Sequence, residues 1–334
     1  MPLILKREEV LGVYEDAGKR GWVIPAFNSE NLTTTEAVLQ AALNYSHKIN
    51  KPDIPVTIGI TNNYSHRSQS VNYTHTGKWD IGLRLFLSDI EVLTGKGSPY
   101  AYLNVMILLD HIQWDTDTDL LKWDMGKFSV IMFDASTLPF EENIKMTTRF
   151  VEENSSRIVI EGACDEIMDA TGDVRNDLTT PEQAMDFLTR TKVDYLVVNL
   201  GTEHRATSKN LKYHDDLAQQ ISRLTGTRLV LHGTSSVGED QIGNLYSDGI
   251  AKVNIWTTLE RDTTPVLFEN MVRNASKITG KKKTRALISA GLLGPGVDRD
   301  SEASLSHYTT LYRQEIIFTE MKKIVLKYLT LWYT

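Results

Sequence analysis

Apolar positions along this chain gather into short continuous runs that stop on polar residues. There are eight: 23–27 stops at Asn28, 55–60 at Thr61, 105–109 at Asp110 and His111, and 130–133 at Asp134. The other four are 158–160, stopping at Glu161, 195–200, running into Gly201 and Thr202, 229–231, stopping at His232, and 251–253, stopping at Asn254. An unbroken apolar run of this length fits a strand covered on both faces, as in a parallel sheet wrapped by helices. The gaps carry helix signals. Segments 7–20, 141–153 and 215–224 are amphipathic, and Thr180 before Pro181 reads as an N-cap followed by a first-turn proline. Strand and helix alternating eight times predict an α/β fold, a (β/α)8 TIM barrel; a doubly wound open sheet would give the same alternation. The barrel is expected over about residues 20–260, with a C-terminal helical extension at about 261–334, all in one domain. In the extension, 265–278 and 308–331 read as helices, and Lys281, Lys282 and Lys283 as a solvated helix end. The polar, aromatic-rich piece 62–79 reads as an extended loop of the kind that covers a site at the carboxyl face of a sheet.

Composition changes this picture little. With 41% hydrophobic and 24% charged residues the chain is an ordinary globular one, and a formal charge of -7 argues against nucleic acid or an anionic membrane as the main partner. The lone Cys164 cannot form an intrachain disulfide, and the opening Met-Pro-Leu-Ile-Leu-Lys has no apolar stretch suited to a signal peptide, so a cytoplasmic location is expected. No apolar run approaches the roughly 20 residues a membrane-spanning helix needs.

The strand ends carry the candidate chemistry. Three of the eight histidines, His111, His204 and His232, stand at or just after strand ends. Each alone is more often a hydrogen-bonded structural residue, but three on one barrel rim can hold a zinc ion with a fourth position open for substrate or water. Successive strand side chains alternate in direction, so Asp110 and His111 can serve one site only if the strand ends or bends there. Asp110 is then a proton-transfer group, a helix cap or a partner that orients a histidine. After the seventh and eighth strands, His232-Gly233-Thr234-Ser235-Ser236 and Asn254-Ile255-Trp256-Thr257-Thr258 supply a glycine and hydroxyls where barrel enzymes often hold phosphate.

Taken in order, Val23-Ile24-Pro25-Ala26-Phe27-Asn28, Leu108-Leu109-Asp110-His111, the segments 128–136 and 138–143, Leu178-Thr179-Thr180-Pro181-Glu182, Gly201-Thr202-Glu203-His204, Leu229-Val230-Leu231-His232-Gly233 and Lys252-Val253-Asn254-Ile255 resemble the class II, zinc-dependent fructose-bisphosphate and tagatose-bisphosphate aldolases. The resemblance implies reversible aldol cleavage of a ketose bisphosphate to dihydroxyacetone phosphate and an aldehyde such as glyceraldehyde 3-phosphate. It makes His111, His204 and His232 the zinc ligands, the zinc stabilising the enediolate. Asp110 becomes the proton-transfer group, and Asn28, Thr61, Gly233, Ser235, Asn254 and Thr257 the substrate contacts. It also implies a homodimer or homotetramer.

Departures from the family pattern are equally specific. Arg205 stands where a glycine usually follows the second zinc histidine, and Gly-Gly-Ser-Gly after His232 has become Gly233-Thr234-Ser235-Ser236. Ala163 replaces a glutamate, and the loop acid that removes the ketone proton is one of Glu166, Asp169 and Asp173. Trp256 is expected to narrow the pocket. These changes keep two alternatives open: a catalytically altered or inactive aldolase-like protein that binds metal or sugar phosphate, and a zinc hydrolase using the same histidines to activate water.

Overall fold

The computed structural model describes residues 3–166, 178–203 and 212–334. Eight parallel strands close into a barrel in the order β1 to β8: β1 (Ile24–Asn28), β2 (Pro55–Thr61), β3 (Asn104–Gln113), β4 (Val130–Asp134), β5 (Val159–Ala163), β6 (Tyr195–Val197), β7 (Leu229–Leu231) and β8 (Ile250–Ile255). Closure through the β1–β8 pairing decides between the two topologies that alternation alone left open. Each strand matches one of the apolar runs to within a few residues. The exception in character is β3, which continues past Asp110 to Gln113 because a bulge, rather than an end, interrupts it.

Around the strands lie α1 (Arg7–Lys19), α2 (Leu32–Ile49), α3 (Gln69–Asn72), α4 (Trp79–Thr94), α5 (Phe140–Asn154), α6 (Pro181–Thr191) and α7 (Asp215–Thr225). The barrel is followed by α8 (Thr257–Arg273), α9 (Ala275–Thr279), α10 (Lys281–Ser289), α11 (Leu305–Tyr308) and α12 (Thr310–Trp332). Short 3-10 turns replace the helix between β3 and β4 and between β7 and β8. Thr180 forms a full capping box with Gln183 at the start of α6, a cap that contributes about 1 kcal/mol. The helix expected from Pro265 begins instead at Thr257, and Pro265 sits inside it on a solvent-facing turn. Lys281, Lys282 and Lys283 form the exposed first turn of α10.

The two ends of the barrel are built differently. At the amino end α1 is tied down by Arg7, whose guanidinium donates to both carboxylate oxygens of Asp194 at 2.6 Å and to the Ile158 carbonyl at 2.9 Å. On the flank, α12 buries Met321, Val325, Tyr328, Leu329 and Trp332. Its end is fixed by hydrogen bonds from Tyr45 to the Tyr333 carbonyl (2.7 Å) and from the Trp332 indole to the Ile242 carbonyl (2.8 Å). Such pinning leaves the carboxyl end open for chemistry. No helix among the described residues is long and apolar enough to cross a membrane.

Candidate active site

The site begins with the backbone of β3. Leu109 pairs with Ile131 and the next pair is Ile112 with Phe133, so the register shifts across Asp110 and His111. His111 takes φ of +48°, a left-handed conformation that a non-glycine residue adopts at a cost. This bulge is the bend that the alternation of side chains requires if Asp110 and His111 are to share one site. Both are buried, and their ligand atoms lie with one from His232 within 4.8 Å of one another.

Each imidazole is aimed. His111 Nδ1 lies 2.9 Å from Asp134 Oδ2, and its Nε2 lies 3.1 Å from His232 Nδ1, across from β7. A carboxylate holding Nδ1–H leaves Nε2 as the electron-pair donor, the arrangement of a metal-ligating histidine. Burial works to raise the Asp134 carboxyl, but hydrogen bonds from His111 and Ser136 win and hold it at about 2. Burial first, and then the His111 imidazole, push His232 well below the usual histidine range, so it stays neutral and able to ligate. Tyr64 stacks on the His111 ring at 4.4 Å and 8°. The donor set therefore fits a borderline divalent ion such as zinc. His204, the third histidine of the expected ligand set, lies outside the described residues. The segment before it touches this site, since the Thr202 hydroxyl donates to the His232 carbonyl at 2.7 Å.

Asp110 is held from three directions. Asn28 donates to Oδ2 at 2.7 Å, Arg67 donates to the same oxygen at 3.1 Å, and Asn254 donates to Oδ1 at 2.8 Å. Burial opposes its ionisation, yet the neighbouring imidazoles of His111 and His232 and then the cations Arg67 and Lys252 hold the carboxyl well below the usual range. Asn28 can reach it because residue 59 is glycine: a Cβ there would stand 2.6 Å from Asn28 Oδ1.

A pocket opens beside Asp110 and His232. Asn28, Gly233, Ser235, Asn254 and Thr257 line it, together with Thr258, Trp256 and Arg67. Gly233 has φ of +65°, and a side chain on it would meet the Glu203 backbone at 2.7 Å, so glycine is needed there for packing as well as for access. Thr61 sits at the end of β2 but outside the pocket wall. Its hydroxyl donates to the Arg67 carbonyl, and its N–H donates to Gln69 Oε1 at 3.0 Å, so it anchors the following loop. Of the loop acids, Glu166 is exposed, and Asp169 and Asp173 lie outside the described residues. Ala163 is buried at the end of β5 with Met132, Val197 and Val230.

Two features escaped the reading of strand ends. Arg67 comes from the loop after β2, where only the polar, aromatic-rich composition of 62–79 hinted at a site. The second is an ion pair inside the barrel: Lys252 Nζ lies 2.8 Å from Glu161 Oε1, both side chains fully buried, and also donates to Asn254 Oδ1 at 2.6 Å. Its members belong to runs read as strand, one ending on Glu161 and one containing Lys252, and only closure brings them together.

Glu260, in the first turn of α8, is pushed up to about 7 from an ordinary value of 4.5, by burial first and then by Glu30, with Arg67 opposing. The folded protein thus holds a proton there that the unfolded chain has released. Stability is therefore lost as pH rises from about 4.5 through 7. Glu260→Gln is expected to remove that loss: urea unfolding at pH 8 should find the variant more stable than the wild-type protein by about 1–2 kcal/mol, the partial exposure having been discounted. At pH 5 the two should differ little.

Comparison with known proteins adds to this geometry. A family model described as fructose-bisphosphate aldolase class-II matches residues 8–292. Over 252 residues the chain is 27% identical to a sulfofructosephosphate aldolase of Alkalicoccus urumqiensis, covering 73% of this chain and 78% of that one. A fructose-bisphosphate aldolase of Campylobacter jejuni shares the fold at a TM-score of 0.73 and 18% identity, over 99% of this chain and 95% of that one. The YdjI aldolase of Escherichia coli K12 does so at 0.65 and 21%, over 96% and 95%.

Proposed function

The chain belongs to the class II fructose-bisphosphate aldolase family, and from that premise we propose that it catalyses reversible aldol cleavage of a ketose phosphate to dihydroxyacetone phosphate and a short aldehyde. The observation that carries this reading is the bulge in β3, which turns Asp110 and His111 toward one point beside His232. A carboxylate and two aimed imidazoles at the carboxyl rim of a barrel suit proton transfer next to a polarised carbonyl.

Asp110 accepts the proton from the hydroxyl whose oxygen becomes the aldehyde carbonyl, and returns it in the direction of condensation. Asn28 and Asn254 fix its two oxygens, so the accepting lone pair is held in place before substrate arrives. Gly233, Ser235 and Thr257 receive the phosphate of the ketone half at the start of α8, where unpaired backbone N–H groups favour an anion. His111 and His232, with His204 as the third ligand, would hold zinc, which when bound acts as a Lewis acid on the ketone. One of Glu166, Asp169 and Asp173 removes the ketone proton.

The substrate class covers a ketose bisphosphate such as fructose 1,6-bisphosphate and, from the name of the Alkalicoccus relative, a ketose phosphate bearing a sulfo group. We place the protein in the cytoplasm and take its assembly to be a homodimer or homotetramer. Elemental analysis is expected to find about one zinc per subunit. Cleavage should stop in excess chelator and return on adding zinc; turnover that persists in chelator would rule out the metal-dependent mechanism. Bound zinc and ligand-induced thermal stabilisation without cleavage across a panel of ketose mono- and bisphosphates would favour a binding protein instead.

A further inference from the structure

Resting on the aldolase reading, we propose that Arg67 is a specificity-determining residue that receives an oxyanion, phosphate or sulfonate, at the aldehyde end of the substrate. Among the described residues lining the pocket it is the only lysine or arginine. Its side chain is 12% exposed, which places a cation where a ligand can reach it without dispersing the charge into water.

The loop that carries Arg67 is braced. The Thr61 hydroxyl donates to its carbonyl, Gln69 Nε2 donates to Glu30 at 2.6 Å, and Asn62 and the Asn63 N–H donate to Asp117 at 2.8 and 3.1 Å. The guanidinium lies over the Trp256 ring at 4.5 Å, and the Trp256 indole donates to Glu30 at 2.5 Å. A planar cation laid on an aromatic face keeps its edge for a carboxylate, phosphate or sulfonate. Part of that edge meets Asp110, but Asn28 and Asn254 already supply a hydrogen bond to each oxygen of that carboxylate. Holding Asp110 therefore does not by itself require an arginine.

The placement of the two anion-binding elements supplies the rest. Gly233 and Ser235 follow β7 and Thr257 follows β8, whereas Arg67 follows β2 and meets the other oxygen of Asp110 from the one that Asn254 holds. A ketose phosphate seated with its reacting hydroxyl at Asp110 and its ketone-side phosphate at Gly233 and Ser235 after β7 then extends across Asp110 toward Arg67 and the Trp256 ring beneath it. Glu30 and Glu260 stand near the guanidinium, and Glu260 keeps its proton up to about pH 7, which limits the negative charge competing with an incoming anion.

The test uses three hexitols, which lack the carbonyl and cannot react: the 1-phosphate, the 1,6-bisphosphate and the 6-deoxy-6-sulfo 1-phosphate. Their Kd values are measured by calorimetry on the zinc-loaded protein. Wild-type protein should bind one or both of the doubly anionic hexitols more tightly than the monophosphate, and the preferred one identifies the anion as phosphate or sulfonate. Arg67→Gln should reduce that preference by about 10- to 100-fold while weakening the monophosphate by less than the doubly anionic ligands; Arg67→Lys should recover part of the preference. Equal weakening of all three ligands, or a wild-type protein without preference, would overturn the proposal. Failure of every corresponding ketose to be cleaved counts against the reaction alone, since the hexitol comparison still judges Arg67.

Discussion

Asp110→Asn is expected to lower kcat for aldol cleavage by about 10²- to 10⁴-fold while zinc content stays at that of the wild-type protein. Asparagine has the shape of aspartate but no lone pair basic enough to take the substrate proton, so the loss should fall on kcat rather than on KM. Local hydrogen bonding sharpens the expectation. Oδ2 receives from Asn28 and Arg67 and Oδ1 from Asn254, so the new amide NH₂ must face a donor whichever way it turns. Asn254 could relieve this only by rotating its own amide, which would break the 2.6 Å bond from Lys252 to its carbonyl oxygen. A stability loss of about 1–3 kcal/mol should accompany the kinetic one. Steady-state kinetics together with metal analysis provide the check. Retained turnover would remove Asp110 from proton transfer, and lost zinc would make it a ligand, which its grouping with His111 and His232 also permits geometrically.

Lys252→Met is expected to destabilise the fold by about 3–5 kcal/mol, because it leaves Glu161 as an uncompensated carboxylate inside the barrel. Burial already raises the Glu161 carboxyl, with Asp110 adding to the rise and Lys252 opposing it. Without the lysine it rises further. A raised folded value means stability is lost as pH increases above the unfolded one, so the deficit should be larger at pH 8 than at pH 5. Replacing both partners, in Lys252→Met/Glu161→Leu, should restore most of the stability, since two apolar chains of similar volume need no compensation. It should not restore full turnover, because Asn254 has lost the partner that fixes its amide toward Asp110. Urea unfolding at two pH values, with kcat measured on both variants, separates the two roles. A single variant as stable as wild type would show that the pair is solvated in the folded protein.

Much of this was legible in the sequence because strand burial is a local property. A strand covered on both faces must be apolar throughout, so each run marks its own strand, and the first polar residue after it marks the rim. Asp110, His111, His232 and Asn254 were found in this way. The conflict between neighbouring directions at Asp110 and His111 even required a bend, and the bulge with φ of +48° at His111 supplies it. Helices without a sharp cap or strong amphipathic stripe were harder to read. The exposed Pro265 suggested a helix start where the structure has a helix interior.

What the sequence determined by itself is the eight parallel strands alternating with helices, the rim residues and, through the resemblance those residues carry, the family. Tertiary structure decided what depends on contacts between distant segments: closure of the sheet, the pairing of Lys252 with Glu161 across the barrel, the use of Thr61 to anchor a loop and the delivery of Arg67 to Asp110. The physical reason is the range of the interactions. Burial and side-chain alternation act between adjacent residues and leave a periodic trace, whereas a hydrogen bond between residues 43 apart, as in Arg67 to Asp110, leaves none until the chain is folded.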